Sequence, residues 1–273
     1  MDDADRSETD SSAFIPIFVI SLPDCTDRRE RIARHLNDLS LPFEFVDAVD
    51  GRDDLPADCE SLVDRDRTAS TPGGPLSDPE IACSLSHLQA CRRMADLGIP
   101  WALVLEDDAI PSPDLPGYLR SRHFEAFDLV SLFYSKTYVH PRSGARTPLE
   151  GYRSFPCEPG VPVRGACAYV ISEAGARHLL AKALPVASVA DWPDCTETFK
   201  AGKRWHLVHP RLVEHKRRHE DRETSIIGRG RNRRKRRFLG VYVPPFAKIA
   251  ASCKAKIDYR ARGLRKLDWG NAT

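Results

Sequence analysis

The stretch PEIACSLSHLQACRRMADLGIPWALVLEDDA, residues 79–109, sets the fold. Its first half carries Ile81, Leu85, Leu88 and Ala95 at helical spacing from Glu80 onward, and Gly98 followed by Pro100 ends that helix. Its second half, Trp101 to Leu105, is an unbroken apolar run of strand length, which predicts a strand buried on both faces. The run passes directly into Glu106, Asp107 and Asp108. A helix feeding a doubly buried strand is the building unit of a covered α/β sheet.

Working outward, Ile15 to Leu22 (IPIFVISL) reads as a second buried strand, with Pro16 at its entry where a missing amide is tolerated. After a turn at Pro23-Asp24, Thr26 is placed to cap a helix whose Ile32, Leu36 and Leu39 share one face. Phe43 to Val46 is a short strand running into Asp47-Ala48-Val49-Asp50-Gly51, and residues 53–79 read as a long polar loop. Further strands are expected at Phe127–Phe133, Val163–Ile171 and Trp205–Val208, with a helix over Glu173–Ala183. No internal repeat interrupts this alternation, so the expected class is α/β, Rossmann-type, with a mainly parallel central sheet whose strands present ligands at their carboxyl ends.

Composition agrees with a folded core: 41% hydrophobic and 29% charged residues suit a globular chain of 273 residues, one domain with tails. No apolar run approaches the ~18 residues of a spanning helix, and Met1 to Asp10 is acidic rather than signal-like. The expected location is therefore cytoplasmic, and the eight cysteines, none in a CxxC pair, are expected as thiols. The expected layout is a disordered acidic leader over 1–13, a catalytic domain over 14–227 and a basic tail over 228–273. Between Lys216 and Arg237 the charge is eleven Lys or Arg against three Asp or Glu.

Three carboxylates at the end of a core strand are costly unless water, hydrogen bonds or a cation satisfies them. A hard divalent ion, Mn²⁺ or Mg²⁺, fits: Glu106 and Asp108, spaced acid-x-acid, can both face it, and a bound diphosphate completes an oxygen shell. His215 or His209 can add an imidazole, which also suits Mn²⁺. A solvated acidic turn is the plainer reading of the same residues. The pattern selects metal-assisted phosphate chemistry and leaves open transfer, hydrolysis and nucleotidyl transfer.

The wider pattern narrows the choice. IPIFVISLPDCTDRRERI with FEFVDAVDG, the 79–109 stretch, RGACAYVISEAGARHLL, and HPRLVEH followed by Thr224-Ser225-Ile226 occur in this order. Together they resemble glycosyltransferase family 25, the lipopolysaccharide and lipooligosaccharide biosynthesis enzymes. The resemblance implies a GT-A-like nucleotide-sugar domain, a UDP-sugar donor that is often UDP-galactose, a saccharide or lipid-linked saccharide acceptor, and inversion at the anomeric carbon. The chain departs from the family at Ser21-Leu22, where asparagine-leucine is usual, and at Pro79-Glu80, where Gly-Glu is usual.

The same carry-over places Arg28 and Arg29 at the donor diphosphate and Asp50 and Gly51 at the nucleoside pocket, with Ser86, His87 and Asp107 on the donor side. Arginine suits that task because its guanidinium stays charged and grips phosphate with two N–H groups. For Arg28 and Arg29 a solvated helix start, and for His87 a packing role, are the bland alternatives. Asp191 is the leading general base, with Asp194 as the alternative, and Trp192 beside it can stack on a sugar.

Three rivals stand on the sequence: a metal-dependent phosphoesterase, a nucleic-acid binder using GRGRNRRKRR at 228–237, and an inactive scaffold, which the intact Glu106-Asp107-Asp108 disfavours. The basic run lacks interleaved aromatics, so nucleic acid is not the expected partner. An anionic membrane surface fits it better, because Phe238, Leu239, Val241, Tyr242, Val243 and Phe246 follow the seven charges of Arg229 to Arg237.

Overall fold

The computed structural model describes residues 14–69, 75–191, 196–202, 204–215 and 245–267. The expected leader, Trp192, Asp194, the Thr224-Ser225-Ile226 marker and the 229–237 basic run all lie outside these residues.

The apolar run at the amino end forms β1 (Ile17–Ser21), followed by α1 (Thr26–Asp38) and β2 (Glu44–Asp47). Thr26 is the first helical residue of α1 and Cys25 occupies the capping position, one residue earlier than expected. The stretch read as a polar loop contains a 3-10 turn over Ala57–Leu62 and the short α2 (Arg65–Ala69). Helix α3 (Asp78–Leu97) starts with reciprocal Ser77 and Glu80 hydrogen bonds and stops at Gly98, whose left-handed φ of 62° suits a residue without Cβ. It delivers the chain to β3 (Trp101–Glu106), then to β4 (Ala109–Pro111), α4 (Leu115–Ser121) and β5 (Leu129–Ser131).

The second half adds β6 (Tyr138–Val139), β7 (Ala145–Arg146), β8 (Arg153–Pro156), β9 (Ala168–Ser172), α5 (Glu173–Ala183), α6 (Glu197–Ala201), β10 (Trp205–His209) and β11 (Val213–His215). After residue 244 come α7 (Pro245–Ala261) and β12 (Arg265–Lys266).

Eight strands make one sheet in the order β2-β1-β3-β9-β5-β10-β8-β7. β1 pairs parallel with β2 and β3, and β5 with β10, while β9 and β8 are antiparallel to each of their neighbours. Six strands therefore point one way and only β9 and β8 oppose them. The sheet is mainly parallel in direction, as expected, although β9 makes its centre mixed.

Alternation along the strands sends side chains to two separate cores. Ile17, Val19, Leu103 and Leu105 pack with Ile32 and Leu36 of α1 and with Tyr118 of α4. Phe18, Ile20, Ala102 and Val104 pack on the opposite face with Ile81, Leu85 and Leu88 of α3 and Leu179 of α5. Each large side chain so buried contributes roughly 1.5–3 kcal/mol. Loading both faces fixes the register and leaves one sheet edge, at the carboxyl ends of β1 and β3, free to carry polar chemistry.

Residues 245–267 lie against the domain. β12 pairs antiparallel with β6, Leu264 is buried, the Tyr259 ring packs tilted against Tyr138, and Arg262 donates to the Pro159 carbonyl at 2.9 Å. This part of the expected tail is thus built into the fold. No helix among the described residues is long and apolar enough to cross a membrane. The described cysteines are all free thiols.

Candidate active site

β1 and β3 run parallel, so Ser21 and the acidic turn at Glu106, Asp107 and Asp108 emerge at the same edge. β9 is antiparallel to β3, with Ala168 opposite Leu105, so Gly165 to Cys167 arrive there as well. The small β4–β11 ribbon adds the last piece, because its register sets His215 opposite Ala109, next to Asp108.

The three carboxylates have distinct surroundings. Asp107 is buried, accepts from the Ser21 hydroxyl at 2.6 Å and is ion-paired with Arg28. Burial pushes its carboxyl up to about 6, against the pull of Arg28 and the Ser21 hydrogen bond. Asp108 lies 3.0 Å from His215 Nε2 and 3.4 Å from Arg28, and the Cys167 thiol faces its other oxygen at 3.8 Å. Burial alone would raise Asp108, but the hydrogen bond and charge of His215, joined by Arg28, hold it below the ordinary carboxylate range. Glu106 meets His87 Nε2 at 3.2 Å. His87 is fully buried and its Nδ1 lies 3.0 Å from the Tyr169 hydroxyl.

A divalent ion suits this donor set. Ligand atoms of Glu106, Asp108 and Cys167 lie within 4.8 Å of one another, and His215 is already in contact with Asp108. Two carboxylates and an imidazole are ligands that Mn²⁺ accepts. The guanidinium of Arg28 brings positive charge to the same carboxylates.

The remaining residues expected at the site divide by what their side chains hold. Arg28 faces the acidic turn, whereas Arg29 donates to the carbonyls of Ser21 at 2.9 Å and Leu22 at 3.1 Å and pairs with Asp47 at 2.5 Å. Arg29 therefore clasps the end of β1 to the end of β2. Ser86 accepts from the Val49 amide at 2.9 Å and donates to the Ala82 carbonyl at 2.7 Å, tying the 47–51 loop to α3. Gly51 packs so closely on the start of α3 that a Cβ there would sit 2.5 Å from the Asp78 carbonyl oxygen. Asp50 is engaged by Arg52 through side-chain and backbone bonds, which lower its pKa against slight burial. His209 bonds the Tyr134 hydroxyl at 2.6 Å, so His215 is the imidazole that meets the acidic turn.

Asp191 lies across a small cavity lined by Ser131, Gly165, Tyr169 and Trp205. Its Oδ1 accepts from the Gly165 amide at 2.7 Å. Gly165 has φ of +107°, a conformation that only glycine adopts without strain. Burial raises the Asp191 pKa, opposed by that amide. Ser21, Cys83, Cys167 and Tyr169 were not read as site residues. Cys83 carried a sequence signal, being four residues before His87 on one helix face, and Ser21 stood out as a departure from the usual asparagine.

Residues 14–191 match the sequence profile of glycosyltransferase family 25 (LPS biosynthesis protein). This chain belongs to glycosyltransferase family 25. Similar curated proteins include the lacto-N-neotetraose biosynthesis glycosyltransferase LgtE of Neisseria meningitidis serogroup B, 30% identical over 214 residues and covering 71% of each chain. Procollagen galactosyltransferase 1 of Danio rerio is 35% identical over 104 residues, 37% of this chain and 17% of its own length. The inactive glycosyltransferase 25 family member 3 of Homo sapiens is 33% identical over 180 residues, 62% of this chain and 29% of its own length. The match thus spans 71% of the bacterial relative but only 17% and 29% of the two animal ones.

Proposed function

We propose that this family 25 chain is an active, metal-dependent glycosyltransferase that moves a sugar, galactose, from a UDP donor to a saccharide acceptor such as lipooligosaccharide, with inversion. The observation that carries the proposal is the meeting of Glu106, Asp108, His215 and Arg28 at one sheet edge. The choice of galactose rests on the family resemblance and on the galactosyltransferase named among the relatives.

Asp108 and His215, with Glu106, would hold Mn²⁺ or Mg²⁺, which when bound neutralises charge on a departing nucleotide diphosphate. Arg28 supports the same task, since its guanidinium binds phosphate oxygens as readily as carboxylate oxygens. Asp107 and Ser21 hold Arg28 at the acidic turn and so aim it. Asp191 takes the proton of the acceptor hydroxyl, and the Gly165 amide fixes which carboxylate oxygen is committed to the backbone. The basic 229–237 run and the apolar residues after it bring the enzyme to an anionic membrane surface from the cytoplasmic side.

Purified protein with Mn²⁺ and a panel of UDP-sugars, assayed for UDP release with and without saccharide acceptors, tests the reading. Acceptor-dependent release that is lost in EDTA and in a folded Asp108→Asn variant is expected. Full activity of Asp108→Asn, or acceptor-independent hydrolysis alone, refutes it.

A further inference from the structure

We propose that Cys83, His87 and Glu106 form a second cation site, selective for borderline ions such as Zn²⁺, whose occupancy draws Glu106 from the acidic turn and inhibits transfer. The inhibition rests on the transferase reading above; the site itself does not.

Cys83 and His87 are four residues apart on α3, so both project from one face toward the end of β3. One ligand atom from each of Cys83, His87 and Glu106 lies within 4.8 Å of the other two, and the His87 to Glu106 contact is 3.2 Å. A thiolate, an imidazole and a carboxylate form a mixed S/N/O set, which Zn²⁺ and Co²⁺ take in preference to Mg²⁺ or Mn²⁺. Three protein ligands also leave a fourth position for water.

His87 is already oriented for such a role. A carboxylate only accepts, so the tautomer that bonds Glu106 carries its proton on Nε2, 3.2 Å away, and the Tyr169 hydroxyl at 3.0 Å then donates to Nδ1. When a cation takes Nε2, the ring proton moves to Nδ1 and the Tyr169 contact reverses, the tyrosine oxygen now accepting. Tyr169 thus serves as the outer partner that metal-bound histidines require. The Cys83 proton leaves to solvent as the ion binds.

The two sites compete for Glu106. Its carboxylate is shared between the group with Cys83 and His87 and the group with Asp108 and Cys167. An ion on the thiol side therefore weakens the oxygen-rich side without touching Asp108 or His215.

Co²⁺ added to the full-length protein tests the site directly, through the thiolate-to-cobalt charge-transfer absorption in the near ultraviolet. The band should appear in wild type and in Cys167→Ser, and vanish in Cys83→Ser and Cys83→Ala, whose Co²⁺ affinity should fall by at least about tenfold. Circular dichroism establishes that each variant is folded. No band in wild type, or a band that survives loss of Cys83 or depends on Cys167, overturns the site. In the transfer assay with saturating Mn²⁺, the Zn²⁺ concentration for half inhibition should rise at least about tenfold in Cys83→Ser. Equal inhibition of wild type and Cys83→Ser overturns the competition. Because the cobalt spectrum requires no turnover, a chain without transferase activity would still reveal the site.

Discussion

Replacing Gly51 with alanine tests whether the 47–51 loop owes its place to packing on α3. An added methyl would lie 2.5 Å and 2.7 Å from the carbonyl oxygen and carbon of Asp78, and 2.8 Å from the Ala82 Cβ. Carbon atoms pack best at about 3.5–4.0 Å, so the overlap is roughly 1 Å against backbone. The backbone cannot retreat cheaply, because Ser77 and Glu80 close the first turn of α3 with bonds of 2.9 Å and 2.8 Å, and Ser86 holds Val49 at 2.9 Å. Overpacking of this kind costs roughly 1–3 kcal/mol, and the lower entropy of the unfolded alanine chain recovers about 0.4–1 kcal/mol. The net expectation is a loss of roughly 1–2 kcal/mol, or a fall of about 2–8 °C in melting temperature. Thermal and urea unfolding followed by circular dichroism measure it, and calorimetry with UDP measures the effect on the loop's proposed ligand. UDP binding should weaken with stability. Gly98→Ala is the control, since its φ of 62° strains the backbone while no atom lies within 4 Å of the new methyl. A Gly51→Ala protein that melts with wild type would refute the packing argument. One that is stable but fails to bind UDP would give Gly51 a direct ligand role.

Asp191 must be ionised to accept a proton, and burial raises its pKa, so transfer should fall with acidification through an apparent pKa above the ordinary aspartate value of 3.8. Asp191→Asn should abolish that acid limb and lower kcat roughly 10²–10⁴-fold with UDP affinity little changed; a retained limb assigns it to another group. Leu264→Ala should cost roughly 2–5 kcal/mol in urea unfolding, because this buried side chain anchors the segment after α7. An unchanged midpoint would mean that residues 245–267 are dispensable to the domain.

The strongest strands were legible because their apolarity is local: β1 lies within its expected run, and β3, β9 and β10 each overlap theirs and end one residue beyond it. β4 and β11 were not, being three residues each and existing only through mutual pairing. His215 could be read as a ligand type, but its approach to Asp108 depends on that ribbon. Arg28 and Arg29 are adjacent on a helix and so point about 100° apart, but which of them faces the acidic turn depends on where the ends of β1 and β2 lie, which the local sequence does not show. Ser86 gave no such clue: its Val49 partner is 37 residues away, and nothing local distinguishes a loop brace from a donor contact. The basic tail was read from charge, which identifies neither Leu264 in the core nor β12 beside β6.

The β4–β11 ribbon also has a consequence for synthesis. Asp108 leaves the ribosome about a hundred residues before His215, the imidazole beside it. At typical elongation rates of roughly 5–20 residues per second, the acidic turn waits on the order of 5–20 s for that contact. β10, which joins β5 to β8, arrives only just before. Nascent chains and products of premature termination therefore carry the carboxylates without the strand that brings His215 beside them.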